Sequence, residues 1–239
     1  MSGVASVVQT PVFGLTLTLV VYALAQLLFA RTRFLLLHPV LVSIVVIIAI
    51  LKLTGISYDD YMKGGGIIAY FLAPAVVALG LPLFEELREL RKNALSITIS
   101  IVFASLIGIL SAVVPALFLG NGAQLAESLA PKSVTTPIAM DVARAMGGIP
   151  PLTASVVVLT GVFGAVLGPV ILRLVGVAEG VAFGVAMGAA SHGIGTARAF
   201  EEGPLEGAAS SLALCLNGIV TALIAPPLVR LLLSLVPQG

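Results

Sequence analysis

The chain has 239 residues, with 12 Lys and Arg against 11 Asp and Glu, so the formal charge is +1 and no basic field exists to hold nucleic acid. Hydrophobic residues make up 59% and charged residues 10%, and the mean hydropathy is +1.17, which excludes a water-soluble globule. At about 20 apolar residues per crossing, the length supplies around seven transmembrane helices and leaves no room for a second, soluble domain.

In chain order, residues 12–30 form the first apolar run. It exceeds a usual signal-peptide core, follows a tail without Lys or Arg, and is followed by Arg31 and Arg33, so it reads as a retained helix. Residues 34–51 form the second segment. The third, 67–84, contains Pro74, Gly80 and Pro82 and makes a poor continuous helix, because proline removes a backbone donor and clashes with the preceding turn. Glu85, Glu86, Arg88, Glu89, Arg91 and Lys92 then form a charged helical face with i,i+3 and i,i+4 pairs.

The fourth segment is 94–119 and the fifth is 152–172. Between them, 121–151 is the longest stretch that does not span: two short helices facing each other across the polar turn 131–137. Such a hairpin can dip into a membrane and return if its turn is buried in protein or lines a watery cavity. The sixth segment, 180–197, carries Gly180, Gly184, Gly188, Gly193 and Gly195 with Ser191, His192 and Thr196; its first half invites close helix approach and its second half reads as unwound. Residues 207–229 form the last segment, in which Cys215, the lone cysteine, reads as packing. These runs are long and apolar on every face, so helices fit better than β-barrel strands. The fold class is an all-α polytopic membrane protein, with one domain over 1–239.

The two broken segments occupy corresponding positions in two triplets, 34–119 and 152–230, joined by the re-entrant hairpin 121–151. If the N-terminus is outside, the triplets start on opposite sides, the arrangement of an inverted-topology repeat with broken helices meeting near the midplane. Basic residues near segment ends favour N-out and C-in, with Arg31, Arg33, Arg88, Arg91, Lys92, Arg173 and Arg230 inside.

Two polar stretches carry the available chemistry. In Lys132-Ser133-Val134-Thr135-Thr136-Pro137, an ammonium, hydroxyls and free backbone N–H groups precede a short helix, an anion-binding arrangement. The competing interpretation is an interfacial turn with Lys132 reaching to water. In Ser191-His192-Gly193-Ile194-Gly195-Thr196-Ala197-Arg198, an imidazole, hydroxyls and a guanidinium lie among glycines; Arg198 could grip a carboxylate bidentately and His192 could carry a proton. The competing interpretation is a loop with a solvated Arg198. Asn217 sits mid-span, either bonding across helices or lining the site. The expected binding set is Lys132, Ser133, Thr135, Thr136, Ser191, His192, Gly195, Thr196, Arg198 and Asn217, enclosing a small anion. His38 and His192 are far apart, no HExxH or cysteine cluster exists, and no serine sits in a nucleophile elbow, so no metal, cofactor or enzymatic role is expected. Gly161, Gly164 and Gly168 offer a close-packing surface, and a homodimer is the commonest symmetric assembly.

The stretches 131–139 and 190–199 resemble the two signature stretches of the LrgB/CidB family, and 53–58 and 72–79 resemble further family segments, so the likeness covers nearly the whole chain. Gly193 departs from it where alanine is expected. The resemblance implies a multi-pass protein of the bacterial cytoplasmic membrane, working in the lipid bilayer beside a smaller partner of the LrgA/CidA type. It also implies two functions: holin- or antiholin-like modulation of murein hydrolase export and lysis, or movement of small monocarboxylates such as pyruvate, glycolate or glycerate. Two donor-rich broken elements around an anion favour the carrier of a small carboxylate.

Overall fold

The computed structural model describes residues 10–32, 34, 37–71, 74, 77–78, 80–118 and 122–235. Arg33, Asn121 and residues 72, 73, 75, 76 and 79 of the proline-broken third segment lie outside the described residues, as does most of the family-like stretch 72–79. Among the described residues every regular element is a helix, and the protein is an all-α membrane protein: four helices are long and apolar enough to cross a bilayer. The chain divides into two compact units, Met1–Ala78 and Leu79–Gly239, and the boundary falls inside the first expected triplet.

The first unit holds α1 (Pro11–Thr32), α2 (Pro39–Thr54) and α3 (Tyr58–Tyr70). Pro39 opens α2 at a position whose N–H needs no partner, and Gly55 ends it with φ 70°, where a side chain would be strained. Ser57 caps α3 by accepting from Asp60 N. Gly14 and Gly64 let α1 and α3 touch backbone to backbone: a Cβ on Gly64 would stand 2.9 Å from Gly14 Cα. A bond of 2.9 Å between Thr18 Oγ1 and Tyr61 OH joins the same two helices.

The second unit begins with two short helices, α4 (Gly80–Glu85) and α5 (Leu87–Lys92), which lead into α6 (Ala94–Phe118). Next come α7 (Gly122–Leu129) and α8 (Thr136–Met146), which with the turn between them form hairpin 1. Then follow α9 (Pro150–Leu174), α10 (Gly180–Phe200) and α11 (Pro204–Leu235). One core cluster joins the starts of α6 and α11 through Ile97, Ile101, Ala208, Ala209 and Ala213. A second joins their far parts through Ile109, Val113, Ala116, Ala225 and Val229, so the two helices run parallel. Large apolar side chains such as Phe103, Phe163 and Leu223 point outward, and the inside is rich in alanine, glycine and valine with larger residues such as Ile101, Ile109 and Met187 among them. Such an apolar outer surface suits a lipid surround.

The sixth expected segment corresponds to α10, and the structure corrects its course. At His192 the backbone has φ 43° and ψ −136°, a conformation that is strained for a non-glycine residue. A Cβ on Gly195 would stand 2.6 Å from Met187 O, eight residues earlier. In a continuous helix those positions are about 12 Å apart along the axis. The chain therefore reverses at His192, and both ends of α10 lie beside the start of α11: Gly180 against Glu206 and Phe200 against Gly207. Thus α10 is hairpin 2, and it enters and leaves by one end of the bundle. The expected count of seven crossings treated this segment as traversing, which it does not do.

Candidate functional site

Small residues bring hairpin 2 against both neighbours. On the α9 side, Gly161 lies under the His192 ring, where a Cβ would stand 2.6 Å from Cε1, and Gly168 lies against Met187. Gly164 leaves room only for Ser191. On the α11 side, Gly184 meets the Glu206 carbonyl and Gly188 the Ser210 backbone. The close-packing surface of Gly161, Gly164 and Gly168 is thus taken up within the chain.

The tips of the two hairpins meet at mid-height. Hairpin 1 descends from the end where α6 stops and α9 starts, and Gly108, Val157 and Asn217 receive its tip: Gly108 faces Ser133, and Val157 packs with Val134. Hairpin 2 rises from the opposite end, and the His192 Nε2 stands 2.9 Å from Val157 O. A carbonyl only accepts, so Nε2 carries the proton in this contact. Arg88, Arg91, Lys92, Arg173 and Arg198 all lie at the end from which hairpin 2 rises, here termed the basic end.

A cavity of about 650 Å³ runs from the basic end to the tips. Its wall on α6 carries Ser96, Ser100, Ala104, Gly108 and Ser111 together with Ile97 and Ile107, and Asn93 lines it just before the helix begins. Thr160 and Gly164 contribute from α9, and Ala189, Ala190 and Ser191 from hairpin 2. Glu179 stands at the mouth, where its carboxylate caps α10 by accepting from Val181 N and Ala182 N. From Glu179 to Ser191 the helix rises about 18 Å at ~1.5 Å per residue, roughly half of a bilayer core.

Of the ten residues singled out from sequence, three line this cavity: Lys132, Ser133 and Ser191. Lys132 is half-buried at the hairpin 1 tip with Nζ 3.4 Å from Ser133 Oγ, and no carboxylate among the described residues comes within 4.0 Å of it. Thr135 takes the N-cap position of α8 without a side-chain cap bond, and Thr136 is its first residue. His192 is buried against Gly161, and Gly195 packs on Ser191 at the reversal. Thr196 Oγ1 donates to His192 O at 3.0 Å, which leaves Ser210 to donate to Thr196 at 2.9 Å. Arg198 is turned to the base of hairpin 2, 2.6 Å from Glu202 and 3.4 Å from Glu201. Glu202 also binds Arg173 of α9 at 2.6 Å. Partial burial pushes the Glu202 carboxyl up, but the hydrogen bonds from Arg173 and Arg198 outweigh it and hold the group below its ordinary value. Asn217, 1% exposed, donates to Ser133 O at 3.1 Å and to Ala189 O at 3.0 Å and accepts from Ser105 Oγ at 2.6 Å.

Sequence reasoning overlooked the α6 wall, Thr160 and Glu179. The signal was there in the spacing of residues 96, 100, 104, 108 and 111, small or hydroxylated at helical intervals within an apolar run. Among the described residues no group of three or more His, Cys, Asp or Glu side chains comes together.

A family model described as the LrgB-like family matches residues 18–231. An uncharacterised protein of Bacillus subtilis, YwbG, is 37% identical over 90% of this chain and 96% of its own length. An uncharacterised protein of Haemophilus influenzae is 36% identical over 90% of this chain and 94% of its own. The antiholin-like protein LrgB of Bacillus cereus is 33% identical over 91% of this chain and 95% of its own. No solved structure matches.

Proposed function

The chain belongs to the LrgB-like family, and from that premise we propose that it is a non-enzymatic, antiholin-like membrane protein of the bacterial cytoplasmic membrane, acting on murein hydrolase export and lysis beside a small LrgA/CidA-type partner. The observation that carries this reading is the likeness to antiholin-like LrgB over nine-tenths of both chains. Deleting the protein from its own cells should raise autolysis and murein hydrolase activity in the medium, and restoring it should reverse both. Unchanged autolysis in the deletion strain would count against this role.

The cavity favours a second reading, carriage of a small monocarboxylate such as pyruvate, glycolate or glycerate. Its support is an ammonium without a carboxylate partner, beside hydroxyl groups, where two hairpin tips meet. Burying such a cation is costly unless an anion or water attends it. The two hairpins enter from opposite ends, so hairpin 1 with α6 and hairpin 2 with α9 have the character of an inverted pair of re-entrant elements, in a register different from 34–119 and 152–230. Within Leu79–Gly239 the basic residues concentrate at one end, with Arg144 and Arg230 towards the other. That asymmetry makes the basic end cytoplasmic and puts the end of α11 outside, a revision of C-in that follows from the reversal at His192. Saturable uptake of one labelled acid into liposomes, absent for a neutral solute and lost in Lys132→Ala, would support carriage. Release of every solute alike would point to a pore.

A further inference from the structure

Asn217 stands where the two tips meet, and its hydrogen-bonding capacity is filled. The side-chain amide has two hydrogens, one given to Ser133 O of hairpin 1 and the other to Ala189 O of hairpin 2. Two carbonyls can only accept, which fixes the amide nitrogen on that side, and Ser105 Oγ completes the arrangement by donating to Oδ1. No hydrogen of the amide is left for a ligand in the cavity. What Asn217 touches is backbone on two elements that approach from opposite ends of the bundle.

The lining of the cavity runs from Asn93 and Glu179 at the basic end to Ser111, one turn past Gly108, and includes no residue of α6 beyond Ser111. Beyond the tips lies the second aliphatic cluster, in which Ile109, Val113, Ala126, Ala130, Val142 and Val229 fill the space between α6, hairpin 1 and α11. Hairpin 1 is entered and left through left-handed glycines, Gly122 with φ 78° and Gly147 with φ 106°. A Cβ on Gly122 would meet nothing within 4 Å, so the entrance to this hairpin is not crowded. Its ties to α9 are neutral hydrogen bonds, from Ile149 N to Ser128 Oγ and from Thr153 Oγ1 to Ser128 O.

We propose that Asn217 is a positioning residue that clasps the tip of hairpin 1 to hairpin 2 and thereby keeps the cavity shut towards the end opposite the basic one. When the clasp parts, hairpin 1 pivots about Gly122 and Gly147 and Lys132 and Ser133 become reachable from that opposite end. This rests on the reading of the cavity as the working site. Its test requires no substrate, so failure of the clasp and failure of carriage are separate results.

The experiment uses the full chain in sealed vesicles of known orientation, with Cys215→Ser and Ser133→Cys, and a membrane-impermeant maleimide added from one side at a time. With Asn217 in place, labelling is expected from the basic-end side alone. Asn217→Ala should raise labelling from the other side about tenfold, the scale of one lost buried hydrogen bond in a two-state equilibrium. Ser105→Ala removes only the group that orients the amide and should act in the same direction less strongly; it decides the matter if Asn217→Ala does not accumulate. Leu90→Ala, a buried truncation at the basic end, should lower thermal stability and leave the sidedness unchanged. Equal labelling from both sides with Asn217 present, or no gain from the opposite side in either variant, overturns the proposal.

Discussion

Hairpin 2 is held at its base by charge and along its length by backbone contact, whereas hairpin 1 is held by neutral hydrogen bonds and aliphatic side chains. Arg173 and Arg198 converge on Glu202 below hairpin 2, and glycines on α9 and within α10 draw it against both neighbours. Hairpin 1 has hydrogen bonds at Ser128 and at Ser133 O and aliphatic side chains as its packing. Close glycine packing fixes an element because no side chain can rearrange to relieve a clash, while aliphatic packing tolerates small shifts. The contrast teaches that one tip serves as the fixed wall of the cavity and the other as the part that can give.

The strongest way to break this contrast is to crowd each hairpin. Gly164→Val would drive a side chain into Ser191 and should abolish accumulation of folded protein or cost about 3 kcal/mol of stability by overpacking. Gly122→Ala meets only the strain of its left-handed backbone, about 1 kcal/mol, and should survive. Melting of the two purified variants in detergent compares them directly, and equal losses would erase the distinction.

A second comparison sharpens the roles of the two cations. Lys132→Ala is expected to lower saturable carboxylate uptake by about tenfold or more, since it removes a charge-assisted contact, with little change in melting. Arg198→Ala should do the opposite: it unfastens Glu202 and lowers melting, and its uptake per folded molecule stays within about threefold. Arg198 acting as the carboxylate anchor would reverse the order of the two uptake losses.

The smallest effect concerns pH. Glu202 has its pKa lowered in the folded state, so the stability it contributes is present above the ordinary carboxylate value near 4.5 and is lost as pH falls through the lower folded value. Glu202→Gln should therefore melt below the parent protein at neutral pH and converge with it as acid takes the parent's carboxylate through its lowered folded value. A gap that stays unchanged throughout the acid titration would mean that the carboxylate charge is not what holds the base.

A small part of the candidate site, three of its lining residues, was legible as polarity in the wrong place. Lys132 and Ser133 interrupt an apolar connector, and Ser191 closes a glycine series, which marked all three before their convergence was visible. Asn217 was legible as a buried amide, but its partners at Ser133, Ala189 and Ser105 are separated from it by 84, 28 and 112 residues, distances no local pattern reports. Arg198 misled because a cation beside glycines looks available, and its acids Glu201 and Glu202, three and four residues on, were left out of that reading although the spacing is that of helical ion pairs.

By itself the sequence determined the membrane class, the positions of the long helices and membership of the LrgB-like family. Those follow from hydropathy and from local residue patterns, which are properties of a chain read in one dimension. Only the tertiary structure decided that α10 turns back on itself. A single pair of dihedral angles at His192 sets that course, and a helix that crosses and one that returns bury the same apolar residues. Which neighbour each glycine admits was likewise fixed only by assembly, since a missing side chain permits close approach without naming the partner.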